Sequence, residues 1–305
     1  MALFRHGIRT RSGPGVLPAV GLVIMWSSGF IGAELGTRYA PADTLLAWRY
    51  LVAGSVLAGL ALMRGTRMPR AGLLRHGALG LLCQALYLGG VVTGVGLGVP
   101  PGTAALIAAL QPLVVSALAS RLLREASTGR QRWGLVIGIG GVALVVSNDV
   151  GAGSSPITYF LPFGGMLALS VGTVLERRWR TQEPVLDSLT VQTVAAAGFF
   201  VAMAAGAGHL APPADPNFWF AVAWVVVLSG FGGYGFYFVV LRQRGPTRVS
   251  TLLYLTPPTT TLWALVMFGQ PVTGATLAGF LVCAGAVYLV MSGGRIAGHP
   301  TRSPA

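Results

Sequence analysis

Two ionisable side chains lie in otherwise apolar stretches of the sequence, where a charge is unfavourable unless it is paired or used. Arg49 falls about 8 Å from the nearer end of its run at the rise of an α-helix. It could bind a carboxylate, or it could extend its guanidinium to the membrane surface. Glu34 precedes Arg38 by four residues, which predicts an ion pair at a helix end. Glu34 is also the candidate carboxylate for taking up and releasing a proton, as coupling to a proton gradient would require.

Prolines interrupt two further apolar runs. Pro112 lies in one run, and Pro257 with Pro258 lies in the other. Proline has no N–H and displaces the carbonyl four residues earlier, so both helices are expected to break there. Unpaired carbonyls deep in a membrane need a cavity or a polar partner. The breaks therefore predict either a solute-binding site or packing kinks that nearby Ser and Thr side chains satisfy.

Polar and aromatic residues on the same runs could line a pocket for a small amphipathic solute. The alternative is that they serve as interhelical hydrogen bonds and interfacial aromatics. The candidates for substrate binding are Trp26, Ser27, Arg49, Gln84, Tyr87, Gln111, Ser170, Tyr234, Tyr237 and Thr256.

No residue set for catalysis, cofactor binding or metal binding is evident in the sequence. The chain has no lysine, so it cannot supply a P-loop lysine or a Schiff-base amine. Its four histidines lie at or beyond the ends of the apolar runs, without metal-ligand spacing. Cys83 and Cys283 lie inside apolar runs and are expected to be buried as small hydrophobic residues. We therefore predict no enzyme activity, no cofactor and no metal.

Composition indicates a membrane protein. Of the 305 residues, 53% are hydrophobic and only 10% are charged, against about 25% charged in a soluble domain. The apolar runs are each long enough to cross a bilayer as a helix, and they lack the alternation of a β-barrel. We predict an all-α integral membrane protein with ten transmembrane helices. The runs are 16–36, 44–63, 73–95, 102–120, 133–149, 157–175, 186–206, 217–241, 249–268 and 273–292.

The arginines predict the orientation of these helices. The net charge is +13, and the basic residues form short clusters between apolar runs, which disfavours nucleic-acid binding. All the arginines except Arg38 and Arg49 lie in alternate loops or in the tails 1–15 and 293–305. By the positive-inside rule, both tails are cytoplasmic. The first helix resembles a signal sequence but has no clear cleavage site, so we expect it to be retained.

The second half of the sequence repeats the first. Residues 109–147 align without a gap with 254–292, at an offset of 145. The first copy carries arginines in its central loop and the second carries none. Five helices per copy is an odd number, so the second copy, 150–292, should be inverted relative to the first, 16–149. Inverted repeats are typical of transporters, although a duplicated bundle without a transport role stays an alternative.

Small residues recur at matched places in the last helix of each half. Gly134 and Gly138 are four apart, as are Gly279 and Cys283. Such pairs let helix backbones approach closely, either within the monomer or at the seam of a homodimer.

The stretches ALIAALQPLVVSALASRLLREASTGRQRWGLVIGIGGVALVV and LLYLTPPTTTLWALVMFGQPVTGATLAGFLVCAGAVYLV both resemble the C-terminal part of an EamA repeat. MWSSGFIGAELGTRYAPADTLLAWRY is similar to the start of one. EamA repeats belong to the drug/metabolite transporter superfamily. The resemblance implies ten helices, a central cavity between the repeats, and export of small metabolites such as amino acids or amines from a bacterial-type inner membrane. Export of drug-like or other amphipathic solutes, or a non-transporting scaffold, are the alternatives.

Overall fold

The computed structural model describes residues 16–123, 129–151 and 155–292, and within these ranges the regular structure is helical, without strands. The predicted tails, 1–15 and 293–305, lie outside the described residues. The helices are α1 (Val16–Thr37), α2 (Ala42–Met63), α3 (Arg70–Gly80), α4 (Tyr87–Gly96), α5 (Pro101–Ala108), α6 (Gln111–Leu122), α7 (Gly129–Gly151), α8 (Phe160–Trp179), α9 (Val185–Gly206), α10 (Pro216–Trp224), α11 (Gly233–Arg244), α12 (Pro246–Leu253), α13 (Thr256–Phe268) and α14 (Gly274–Ser292).

Eight helical segments of the described chain are long and apolar enough to cross a membrane. Three of them join consecutive elements: α3 with α4, α5 with α6, and α10 with α11. The two remaining predicted spans are different. The one made of α12 and α13 is interrupted at Tyr254–Leu255, and the apolar helix Gly274–Val290 is shorter than the others. The prediction of ten spans is therefore met in part.

The helix boundaries repeat along the chain. α5 begins at Pro101 and α12 begins at Pro246, which is the offset of 145 seen in the sequence. Even the π-helical segments recur, at Leu81–Leu86 and Val225–Gly232. The two repeats have few identical residues, and yet their helices are interrupted at corresponding positions. The interruptions are therefore a structural property of the repeat itself.

The first helix of each half packs against the other half. α1 contacts α11 and α13, and α8 contacts α4 and α6. Because each of these helices is inserted into the opposite repeat, the residues near their midpoints lie where the two halves meet. Trp26 of α1 is one of them.

Close packing of α7 against α14 uses the small residues that the sequence analysis identified. The thiol of Cys283 lies 3.5 Å from the carbonyl oxygen of Gly138. A methyl group on Gly279 would lie 2.9 Å from the carbonyl oxygen of Gly141, so only glycine fits there. These small residues therefore join the two repeats within one chain, and a homodimer remains a prediction.

Candidate functional site

A cavity of about 560 Å³ lies between the two halves. Its wall is built from α1, α5, α6, α8, α9, α11 and α12, with the first residues of α4 and α13. It begins at the loop that contains Thr181 and Glu183, beside the arginines at the end of α8, and reaches inward to Phe30 and Ala105. The cavity is thus open at an arginine-rich end of the bundle.

Aromatic rings form much of the cavity wall. Trp26 stacks on Tyr237, with ring centroids 5.8 Å apart, and meets the edge of Tyr234 at 5.9 Å. Tyr87, from α4, also lines the cavity. These four residues, all predicted from the sequence, offer flat apolar faces that suit a small amphipathic solute.

Both predicted helix breaks open into this cavity. α5 ends at Ala108 and α6 begins at Gln111, whereas α12 ends at Leu253 and α13 begins at Thr256. All four of these residues line the cavity. The two helices are thus interrupted beside the prolines at corresponding positions, and the breaks lie next to each other across one space.

The polar groups at the two breaks differ in how they are satisfied. The Gln111 side-chain amide donates to the hydroxyl of Thr173, 3.1 Å away on α8. The hydroxyl of Thr256 is buried and has no hydrogen-bond partner among the described residues. Its carbonyl oxygen accepts a long bond of 3.4 Å from the Ser27 hydroxyl.

Two carboxylates line the cavity, Glu176 and Glu183. Glu176 corrects the sequence analysis, which ended this span at residue 175 and named Glu34 as the candidate carboxylate. α8 continues to Trp179 and ends with Arg180 in the left-handed conformation, so Glu176 lies in the last helical turn, exposed to the cavity. The adjacent pair Arg177 and Arg178 made the stretch look like a loop.

Glu183 lies just outside the spans, where the chain turns from α8 to α9. Hydrogen bonds from its own backbone amide and from the His76 ring hold the pKa of the Glu183 carboxyl below its ordinary value. Its oxygen Oε2 lies 3.3 Å from Nε2 of the buried His76, which also lies 3.2 Å from the Ser188 hydroxyl. A carboxylate that is hydrogen-bonded to His76 therefore lies at the mouth of the cavity.

None of the cavity-lining side chains among the described residues is an arginine or a histidine, although the chain as a whole has a net charge of +13. Two glutamates in a partly desolvated cleft attract cations and repel anions. With the aromatic faces nearby, the cavity is chemically suited to an ammonium group.

Three predicted site residues pack between helices and are absent from the cavity wall. Ser27 and Ser170 are fully buried, and the Ser170 hydroxyl donates to the carbonyl oxygen of Met166 at 2.8 Å. Gln84 makes a 3.4 Å bond to Gln192 of α9. For Ser27 and Gln84 the structure favours the alternative role, interhelical hydrogen bonding, whereas the Ser170 bond lies within α8.

Comparison with known proteins reveals one family. The model of the EamA-like transporter family matches residues 13–147 and again residues 156–292. The chain belongs to this family. Its two matched segments correspond to the two halves described above, and the protein is a multi-pass inner-membrane transporter of the drug/metabolite transporter superfamily.

Named relatives of this EamA-like transporter are membrane proteins. It is 27% identical over 259 residues to the "Uncharacterized inner membrane transporter YedA" of Escherichia coli strain K12, covering 84% of this chain and 82% of that one. It is 21% identical over 285 residues to the "Probable amino-acid metabolite efflux pump" of Salmonella typhimurium strain LT2, covering 90% and 94%. A solved crystal structure shares the fold, with a TM-score of 0.64 at 22% identity over 92% of this chain and 98% of the other.

Arg49 of the EamA-like chain lies outside the cavity wall. It is 8% exposed, its Nη2 donates to the Ser229 hydroxyl at 3.3 Å, and its guanidinium carbon lies 5.6 Å from the centroid of the Tyr50 ring. Its side chain therefore stays inside the protein and does not extend to the membrane surface. Carboxylate binding by Arg49 remains a prediction.

The predicted ion pair of Glu34 is confirmed. Arg38 Nη2 lies 2.8 Å from Glu34 Oε1, and the guanidinium carbon of Arg38 lies 4.4 Å from the centroid of the Phe268 ring. Both charged residues line a smaller pocket of about 240 Å³, separate from the central cavity. This position offers no direct support for a coupling role of Glu34.

Proposed function

We propose that this EamA-like protein is a secondary transporter that exports a small amino acid or amine-like metabolite by alternating access between two inverted five-helix repeats. The observation that carries the proposal is the cavity between the halves, which is lined by both helix breaks. A solute site at the interface of two repeats, beside interrupted helices, is the arrangement on which alternating access depends.

The proposed topology has ten crossings. The interrupted segment α12–α13 and the short helix α14 supply the ninth and tenth, in addition to the eight long spans. An interruption is tolerated within a bilayer where it faces a cavity, as it does here. With ten crossings and the arginine clusters inside, both tails are cytoplasmic. The repeats are then 16–149 and 150–292, and the open end of the cavity faces the cytoplasm, as an exporter needs for loading.

The residues that line the central cavity support one class of substrate. Glu176 and Glu183 favour a positively charged group, and the rings of Trp26, Tyr87 and Tyr237 favour an apolar or cationic body. The name of the Salmonella typhimurium relative, "Probable amino-acid metabolite efflux pump", agrees with this class. We therefore propose a substrate with at least one amine.

Counterflow in proteoliposomes tests the function. Liposomes with the purified chain would be loaded with one unlabelled solute from a panel of amino acids, amines and sugars, and entry of the labelled form would be followed. We expect exchange of at least one amine-containing solute and none of the neutral sugars. Exchange no faster than in empty liposomes for every solute would contradict the proposal. If a set of drug-like amphipathic solutes is added to the panel, exchange of these alone would support the alternative.

Cysteine labelling tests the inverted topology. In a Cys83→Ala, Cys283→Ala background, single cysteines would be introduced as Gln270→Cys and Arg130→Cys, which lie before α14 and at the start of α7, the last helices of the two repeats. We expect an impermeant maleimide to label intact cells at position 270, and at position 130 only after permeabilisation. Labelling of both positions from the same side would rule out inversion.

A further inference from the structure

The second helix break, between the end of α12 at Leu253 and the start of α13 at Thr256, leaves two carbonyl oxygens without the amide donors that a continuous helix would supply. Pro257 and Pro258 have no N–H, so the carbonyls of Leu253 and Tyr254 lack the amide that would follow four residues later in a helix. Leu253 and Tyr254 end α12 and line the cavity. The last carbonyls of a helix also carry the negative end of its dipole. This end of α12 therefore presents acceptor oxygens to an aqueous cleft.

Two hydroxyl oxygens at the same break are unpaired. Thr256 and Thr260 are one turn apart on α13, and they are 4% and 0% exposed. Their hydroxyl oxygens have no hydrogen-bond partner among the described residues. A buried polar atom without a partner costs free energy, so a site with several of them calls for a ligand. Thr256 lines the cavity, which gives a ligand access.

The chemistry of these groups selects the ligand. The groups at the break are two carbonyl oxygens without their i+4 amides and two unpaired hydroxyl oxygens, and such oxygens are hard ligands for small cations. Mg²⁺ and Ca²⁺ are generally bound with the help of carboxylates, and the break itself has none. Oxygens at unwound membrane helices are a known way of holding Na⁺ in transporters. The two glutamates of the cavity further favour a cation on its way to the break.

We propose that the second helix break binds one sodium ion, through the carbonyl oxygens of Leu253 and Tyr254 and the hydroxyl oxygens of Thr256 and Thr260. This site goes beyond the proposed transport function, because it makes a sodium gradient the energy source for the cycle. The first break lacks the two hydroxyl ligands, because Gln111 and Val115 stand where the second break has Thr256 and Thr260, and the Gln111 amide is bonded to Thr173.

A binding experiment on the full-length chain tests the site without any substrate. The melting temperature of the purified protein in detergent would be measured as NaCl replaces choline chloride at constant ionic strength. We expect a saturable rise of several degrees, since a ligand that binds the folded state stabilises it. Thr256→Val should weaken the apparent sodium affinity by about tenfold, Thr256→Ser should keep it, and Thr260→Val provides a second variant. Thr259→Val, on the same turn of α13, should respond as the wild type does.

Three results would overturn the sodium site. The first is an equal effect of Na⁺ and choline on the wild-type chain. The second is an unchanged sodium affinity in both Thr256→Val and Thr260→Val. The third is stabilisation by methylammonium with none by Na⁺, which would make the break a subsite for the amine of the substrate. None of these results bears on the counterflow assay, so the sodium site and the proposed transport can fail separately.

Discussion

The two helix breaks share a backbone plan and differ in their side chains. At the first break the amide of Ala109 donates to the carbonyl of Ala105 at 3.0 Å, and Gln111 is bonded to Thr173. At the second break the amide of Tyr254 donates instead to the carbonyl of Leu252, and the hydroxyl of Thr256 is unpaired. The polar side chain at the first break is hydrogen-bonded within the protein, and the hydroxyl at the second is not.

The difference in side chains between the two breaks indicates that two copies of a repeat can share a backbone structure and have different functions. At the repeat offset, Thr260 of the second half corresponds to Val115 of the first, and Pro258 corresponds to Leu113. The first half thus carries apolar side chains where the second carries an additional hydroxyl and an additional proline. One copy can then serve as a structural hinge while the other binds a ligand.

The largest expected effect comes from repairing the second break. Pro257→Ala with Pro258→Ala restores two amide donors, which can pair with the carbonyls of Leu253 and Tyr254 and extend α12 into α13. We expect solute exchange in counterflow to fall at least tenfold, a change of about 1.4 kcal/mol, while the melting temperature does not fall. Exchange at the wild-type rate would mean that the second break has no functional role.

The next largest effect concerns the charge of the cavity. Glu176→Gln keeps the size of the side chain and removes its negative charge, so exchange of a cationic amine should fall about fivefold, and exchange of a zwitterion should fall less. Glu183→Gln, at the mouth, should have a smaller effect. Initial rates in counterflow would be compared for the two variants, and an equal loss for cations and zwitterions would argue against charge recognition.

Substitutions at the two breaks should change the free energy of unfolding differently. Gln111→Ala removes a hydrogen bond between partly buried groups and leaves the Thr173 hydroxyl without this partner, which should cost about 1 kcal/mol of unfolding free energy. Thr256→Val removes a hydroxyl that already lacks a partner, so its cost in sodium-free buffer should be near zero or negative. Melting temperatures measured in choline chloride would show a decrease only for Gln111→Ala. A decrease of the same size for both would mean that the second break is satisfied as well as the first.

The smallest effect is expected for the ion pair between Glu34 and Arg38, which lies away from both breaks. Arg38→Ala removes an ion pair whose two side chains are 47% and 17% exposed, and exposed pairs contribute about 0.5 kcal/mol or less. Melting should change by only about a degree, and exchange should be unaffected. A large loss of exchange in Glu34→Gln would instead revive Glu34 as a coupling residue.

Much of the cavity was predictable because it depends on residue type. Trp26, Tyr87, Gln111, Tyr234, Tyr237 and Thr256 were all selected as polar or aromatic residues within apolar runs, and all line the cavity. Glu176 was missed because charged neighbours placed it beyond the predicted end of its helix. One additional helical turn brought it into the membrane-spanning segment.

The sequence by itself determined the repeat, its offset and the positions of both helix breaks. A missing N–H in proline and a long apolar run are covalent properties that need no tertiary context. Only the tertiary structure decided which polar residues face the cavity and which, like Ser27, Ser170 and Gln84, pack between helices. Membrane helices that are apolar on all sides carry no periodic signal of their rotation, because lipid and protein interior are equally apolar neighbours.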